Sequence, residues 1–268
     1  MPKVRPMVTC IFCGLHRLAS IEDIISKWIR YALDLKSSVT IRAEPTGATA
    51  RTQHLVVTLR DMVCEACNTG WMHDLEEMVK PFAKPVLTNK HGIDLNVMQQ
   101  RDLARWAIMK VLLLEHYMRK QDPQLRTMPG YAPSGPELAW LMKEVNPPPR
   151  SRVWLGAFDA ENRFVVTTQA RLLTSAPVAG GSDPVPAHMT TLTIGCILLQ
   201  VFSTDFVLAD ARSLPQYDVD PPWPYSQALP RVWPIKHQIV DWPPIHHVTS
   251  AVLDKVASWG QATATAPR

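Results

Sequence analysis

The sequence predicts an α+β protein in two parts, and three observations carry that prediction. Four of the five cysteines in 268 residues form two Cys-x-x-Cys pairs, Cys10/Cys13 and Cys64/Cys67. From Gln99 to about Lys120, residues Leu103, Trp106, Ala107, Lys110, Leu113, Leu114 and Tyr117 recur at helical spacing. From Val153 onward the period falls to that of strands, in Val153–Phe158, Phe164–Thr168 and Leu192–Phe202. We therefore divide the chain into an N-terminal unit, residues 1–95, and a larger domain, residues 96–268, with helices and an antiparallel sheet.

Residues 1–9 read as a basic lead-in without a targeting segment. A thiolate pair two residues apart closes on one ion through a tight turn, and two pairs complete a tetrahedral site. We expect Cys10, Cys13, Cys64 and Cys67 to hold a structural Zn²⁺. The alternative, disulfides, fits less well with a fifth cysteine left over and no secretory start. Between the pairs, Ser20 with Asp23 suggests a helix start, followed by Ile21, Ile24, Ile25, Trp28, Ile29 and Leu33 in phase. Val39–Arg42 and Gln53–Leu59 are β-branched runs around Pro45 and Gly47, a hairpin that returns the chain to Cys64.

After Cys67, Asn68 is expected to cap a helix carrying Trp71, Met72, Leu75, Met78 and Val79, ended by Pro81 and Pro85. Glu76-Glu77 reads as its solvated face. Leu138–Val145 makes a further helix before the breaker Pro147-Pro148-Pro149. Phe206–Leu208 reads as a strand, and the Pro/Gly-rich stretch 176–187 as a loop. Residues 215–247, with repeated Trp-Pro steps, read as an extended wrapping segment, and 248–259 as a helix. Cys196, within an apolar strand run, reads as a buried small hydrophobe.

The segment Ser20-Ile21-Glu22-Asp23-Ile24-Ile25-Ser26-Lys27-Trp28 and the segment Cys67-Asn68-Thr69-Gly70-Trp71-Met72-His73-Asp74-Leu75-Glu76 together resemble the HNH (ββα-metal) endonucleases with a Cys₄ zinc knuckle. The matching residues span about 1–80. The resemblance implies a zinc-stapled ββα-metal unit that binds DNA and hydrolyses phosphodiesters with Mg²⁺ or Mn²⁺, in a cytoplasmic, bacterial or phage setting. It implies that Glu22-Asp23 lies at a strand or loop edge just before the first helix, with Glu22 and Asn68 as ligands of the catalytic cation and Asp23 either a third ligand or the occupant of the general-base position. Relatives carry His where this chain has Asp23, and Pro where it has Ser26. An aspartate, reference pKa about 3.9, accepts a proton poorly at neutral pH. His54 on the hairpin, His16 and His73 are the substitute bases on offer. His73 lies near 140° round the helix from Asn68, so it points away.

Composition excludes little else. A net charge of +4 and a mean hydropathy near zero are compatible with nucleic acid without demanding it. No apolar run approaches the roughly 20 residues of a membrane helix. There is no P-loop, dinucleotide fingerprint or Gly-x-Ser-x-Gly elbow. His237, His246 and His247 lack the acidic or cysteine partner that a metal set usually shows. The expected function is a metal-dependent DNA endonuclease; the alternatives are a metal-assisted enzyme recruited to a small molecule and a non-cleaving zinc-stapled module that binds nucleic acid or protein. The oligomeric state is not encoded legibly.

Overall fold

A computed structural model describes residues 5–34, 38–44, 51–54, 58–59, 61–88, 91–121, 135–159, 164–173, 185–204, 221 and 224–256. The chain is mixed α+β, with helices, antiparallel sheets and a cysteine cluster near its N-terminus.

The N-terminal elements are short. Strands β1 (Met7–Thr9) and β2 (His16–Leu18) form a hairpin whose connecting turn holds the first cysteine pair. Gly14 at the end of that turn has φ +70°, a region a side chain adopts only with strain. Strand β3 (Glu22–Asp23) pairs with β6 (Thr58–Leu59). Helix α1 spans only Lys27–Ala32, with Ser26 at its N-cap, rather than starting at Ser20. Pairing with β6 claims residues 22–23, so the apolar spacing of Ile21 and Ile24 belongs to a strand and its exit. Strands β4 (Ser38–Glu44) and β5 (Arg51–His54) form a hairpin, but Thr58–Leu59, expected in its second strand, pairs with β3 instead.

Helix α2 (Glu65–Cys67) passes through a π-helical turn (Asn68–Met72) into α3 (His73–Leu87). Asn68 is therefore inside a helical run and not at its cap. Pro81 and Pro85 lie within α3 and do not end it. Leu75, Val79, Phe82, Ala83, Val86 and Leu87 are buried along one face, while Pro81 is exposed and Pro85 partly so. The lost backbone bonds thus fall on the outer side, where burial of the other face holds the helix together.

Helix α4 (Val97–Gln121) follows β7 (Ile93–Asn96) and is buried almost all round, from Leu103 through Leu114. Such a helix is a core element rather than an amphipathic surface one. Helix α5 (Gly135–Lys143) packs beside it. The main sheet runs β12 (Arg231–Trp233), β8 (Arg152–Asp159), β11 (Ile197–Thr204), β10 (Val185–Ile194), β9 (Phe164–Leu173), β4, β5. β14 (His247–Thr249) adds to β8 in parallel, and β4 adds to β9 in parallel. β13 (Ile239–Trp242) pairs separately with β7. Successive strand residues serve opposite faces. Val153, Leu155 and Ala157 of β8 join the core around α4, whereas Trp154 and Phe158 face Val248, Leu253 and Val256. The core around α4 also takes in Cys10, Phe12, Ile29, Leu75 and Val79, so one apolar cluster draws on residues from both sides of position 95.

Four expectations change here. The run Leu192–Phe202 is two strands joined at Gly195-Cys196, because Gly195 adopts φ +57° and reverses the chain. Cys196 sits in that turn and is only partly buried. Residues 185–187 belong to β10 and not to a loop. The segment 215–247 contains, in its described part, a short helix α6 (Tyr225–Ala228) and strands β12 and β13. Phe206–Leu208 lies outside the described residues.

Candidate metal centre

The chain reverses at Gly14, which folds Cys10 and Cys13 against the start of α2. Gly14 N–H donates to Cys10 O and Cys10 N–H to Leu15 O, and Ala19 bridges to Cys64. The four Sγ atoms lie within 4.8 Å of one another, and Cys13 Sγ is 3.8 Å from Cys64 Sγ. A tetrahedron with metal–sulfur arms of about 2.3 Å has edges of about 3.8 Å, so the cluster has the dimensions of a metal site such as zinc. All five described cysteines are free of disulfides. Cys10, Cys64 and Cys67 are buried and Cys13 half-buried. A hydrogen bond from the Cys67 thiol pulls Cys10 down to about 4 and holds Cys67 up. Among the described residues this is the one group of three or more His, Cys, Asp or Glu that converges so closely.

Phe12 meets the Trp71 ring edge-on at 5.0 Å, and the Arg105 guanidinium lies 5.7 Å over that ring. Trp28 and Trp106 are 6.3 Å apart. All three tryptophans belong to or pack on the core. They are scaffold.

The expected cation ligands are brought to one region but are engaged separately. Asn68 Nδ2 donates to Ser20 Oγ at 2.5 Å and to Ile21 O at 3.3 Å. The carbonyl of Ile21 can only accept, so the amide nitrogen must face it. The cysteine cluster thus ties the Asn68 side chain to the strand that carries Glu22. Glu22 and Asp23 are neighbours on β3 and leave it on opposite faces. Glu22 is 8% exposed, and its Oε1 is 3.3 Å from Lys110 Nζ on α4. Asp23 Oδ2 accepts from Arg30 Nη2 at 2.5 Å. His16 and His73 are exposed. The side chain of His54, at the end of β5, lies outside the described residues.

Sequence reasoning missed Lys110, Glu76 and Ser26 as a polar cluster. Lys110 is 2% exposed. Its Nζ lies 2.6 Å from Glu76 Oε1 as well as beside Glu22. Ser26 Oγ donates to the same Glu76 oxygen. Glu76 therefore turns inward, unlike its exposed neighbour Glu77. Burial alone would lower Lys110, yet Glu76 and Glu22 hold it above its ordinary value. Glu22 is pushed up, first by burial and then by the charge of Glu76, against the pull of Lys110. The signal was a lysine in phase with the apolar stripe of α4, which only a buried acid can satisfy.

A truncation makes this testable. Lys110→Met should destabilise the protein by about 3–5 kcal/mol by leaving Glu22 and Glu76 buried without their ammonium. Lys110→Met combined with Glu22→Gln and Glu76→Gln should recover most of the loss, as read from urea midpoints. Equal losses for the single and triple variants would refute the coupling.

A second buried cluster joins α4 to the sheet. His188 Nδ1 on β10 is 2.9 Å from Glu115 Oε1, and its Nε2 is 3.8 Å from Glu137 Oε2 on α5. Thr190 Oγ1 also bonds Glu115 Oε1, at 2.5 Å. Burial works against the imidazolium, but Glu115 and Glu137 raise His188 to about 10. Every member is at most 3% exposed, so no substrate reaches it and its role is structural. No helix among the described residues is long and apolar enough to cross a membrane. No family model matches the chain, and no curated protein or solved structure matches it.

Proposed function

We propose that the chain is a zinc-stapled, HNH-type module that binds nucleic acid without hydrolysing it. The observation that carries this reading is the position of Lys110 Nζ, between Glu22 Oε1 at 3.3 Å and Glu76 Oε1 at 2.6 Å. A divalent cation on Glu22 would have to displace a buried ammonium, and leaving that ammonium unpaired costs several kcal/mol. Asp23 does not help, because Arg30 holds it on the far face of β3. General-base loss by itself lowers rates on the order of 10²–10⁴. What supports nucleic acid as the partner is the resemblance over residues 1–80, together with a net charge of +4.

A specific observation favours the second reading, a metal-dependent DNA endonuclease using Mg²⁺ or Mn²⁺. Asn68 is fixed through its amide nitrogen on the strand of Glu22, as a ligand that offers its oxygen to a hard cation would be. One experiment separates the readings: duplex binding and plasmid nicking with Mg²⁺ or Mn²⁺, on wild type, Glu22→Ala, Asn68→Ala and Asp23→His. Wild type is expected to bind DNA in a salt-sensitive way and not to nick it. Nicking that Glu22→Ala and Asn68→Ala abolish would establish the endonuclease instead. Nicking by Asp23→His alone would keep the proposal and trace the loss of cleavage to that position. Neither binding nor nicking in any form would transfer the fold to a small-molecule substrate.

A further inference from the structure

The α1–α3 side of the N-terminal unit carries a groove of about 640 Å³ that nothing above uses. Its wall on α1 is Tyr31, and its floor is one stripe of α3, including Lys80, Pro81, Lys84 and Pro85, closed by His91. The stripe from Glu77 to Thr88 is about 16 Å long at 1.5 Å per residue. Three features of this groove point to the same ligand chemistry.

Tyr31 is 84% exposed, although a tyrosine ordinarily buries most of its ring. Its ring stands on the rim, where a planar group can stack. Lys80 and Lys84 are one helical turn apart and face the same space. Lys80 is shared with Glu77 at 2.9 Å, and no ion pair joins Lys84 to another described residue. Pro81 and Pro85 lie along the same stripe, so the floor between the two lysines is formed by proline rings.

We propose that this groove binds single-stranded nucleic acid, with a base stacked on Tyr31 and phosphates on Lys80 and Lys84. Stacking platforms set in a basic groove are how sequence-tolerant single-strand binding is built. The proposal rests on the nucleic-acid reading above and adds the strandedness and the site. An acidic peptide would use the lysines but would have no use for an exposed aromatic ring beside them.

The test is fluorescence anisotropy of a labelled mixed-sequence 12-mer, single- or double-stranded, titrated with the metal-loaded full chain across a salt series. A glutamate-rich peptide serves as the competing probe. Tyr31→Ala should weaken single-strand binding about tenfold with the salt slope unchanged, since stacking carries no counterion release. Lys80→Gln with Lys84→Gln should reduce the slope of log K against log salt by about 1.4, at about 0.7 per phosphate. All three side chains lie on the outer surface, so circular dichroism should be unaltered. If wild type binds the oligonucleotide and these variants bind it equally well, the groove assignment is overturned while the nucleic-acid reading stands. If wild type binds neither oligonucleotide, both fall. Binding of the acidic peptide that depends on Lys84, without oligonucleotide binding, overturns the occupant.

Discussion

Stripping the metal from the four-cysteine cluster is expected to unfold the N-terminal unit. The cluster supplies what short strands cannot: β1 and β2 have three residues each, and β2 is exposed along its length. Among the described residues, the backbone ties from that region to the rest are Ala19 to Cys64, Ile11 to Met62 and Ser20 to Val63. Binding of a structural zinc to such a site is worth about 10–16 kcal/mol in apparent terms and is coupled to folding. Elemental analysis should therefore return one zinc per chain. Chelation, or Cys64→Ser at a position with no exposure, should lower Tm sharply and cost more than any other single change to the unit. Because α1 and α3, which line the proposed groove, both belong to this unit, the apo form should also lose the nucleic-acid binding proposed above. A metal-free protein with the same Tm in chelator as without it would refute the site.

Replacing His188 is the second large effect. His188→Leu removes the imidazolium from between Glu115 and Glu137, and breaking a buried ion pair in this way costs about 3–5 kcal/mol. The pH dependence has a definite sign. The folded pKa is raised to about 10, against about 6.5 for an unfolded histidine. The folded state thus holds the proton more tightly, so its contribution is complete below about pH 6.5 and is lost as pH rises through about 10. The charged neighbours of His188 are Glu115 on α4 and Glu137 on α5, and the polar neighbours from the sheet are Thr190 and the cross-strand Ser203. His116 is pushed down to about 4 by burial, so it titrates on the acid side and does not mask the alkaline limb. Urea midpoints of wild type and His188→Leu, measured between pH 6 and 10, should converge as pH rises. A gap that stays constant across that range would exclude the protonated imidazole as the source of stability.

Several features were legible because they depend on local periodicity. The α4 helix shows itself through the spacing of Leu103, Trp106, Ala107, Leu113 and Leu114, and the structure spans Val97–Gln121. The β-branched runs at 153–158 and 164–168 lie within β8 and β9. Less legible was anything that competes with a local signal. The prolines of α3 read as a stop, yet packing of Val79, Phe82 and Val86 against the core carries the helix past both. Ile21 and Ile24 read as helical, yet pairing with β6 draws Glu22 and Asp23 into a strand.

By itself the sequence determined the cysteine pairs that converge, the long buried helix, and the change of period that produces the sheet. These follow from spacing along the chain, because a Cys-x-x-Cys turn and a 3.6-residue stripe are local geometry. Tertiary structure alone decided what the charges do. Glu22 and Asp23 adjoin in sequence but part on a strand, so one meets Lys110 from 88 residues away and the other meets Arg30. His188 likewise finds its carboxylates on α4 and α5. Buried charge must be matched by whichever element packs against it, and no spacing rule in the chain specifies that neighbour.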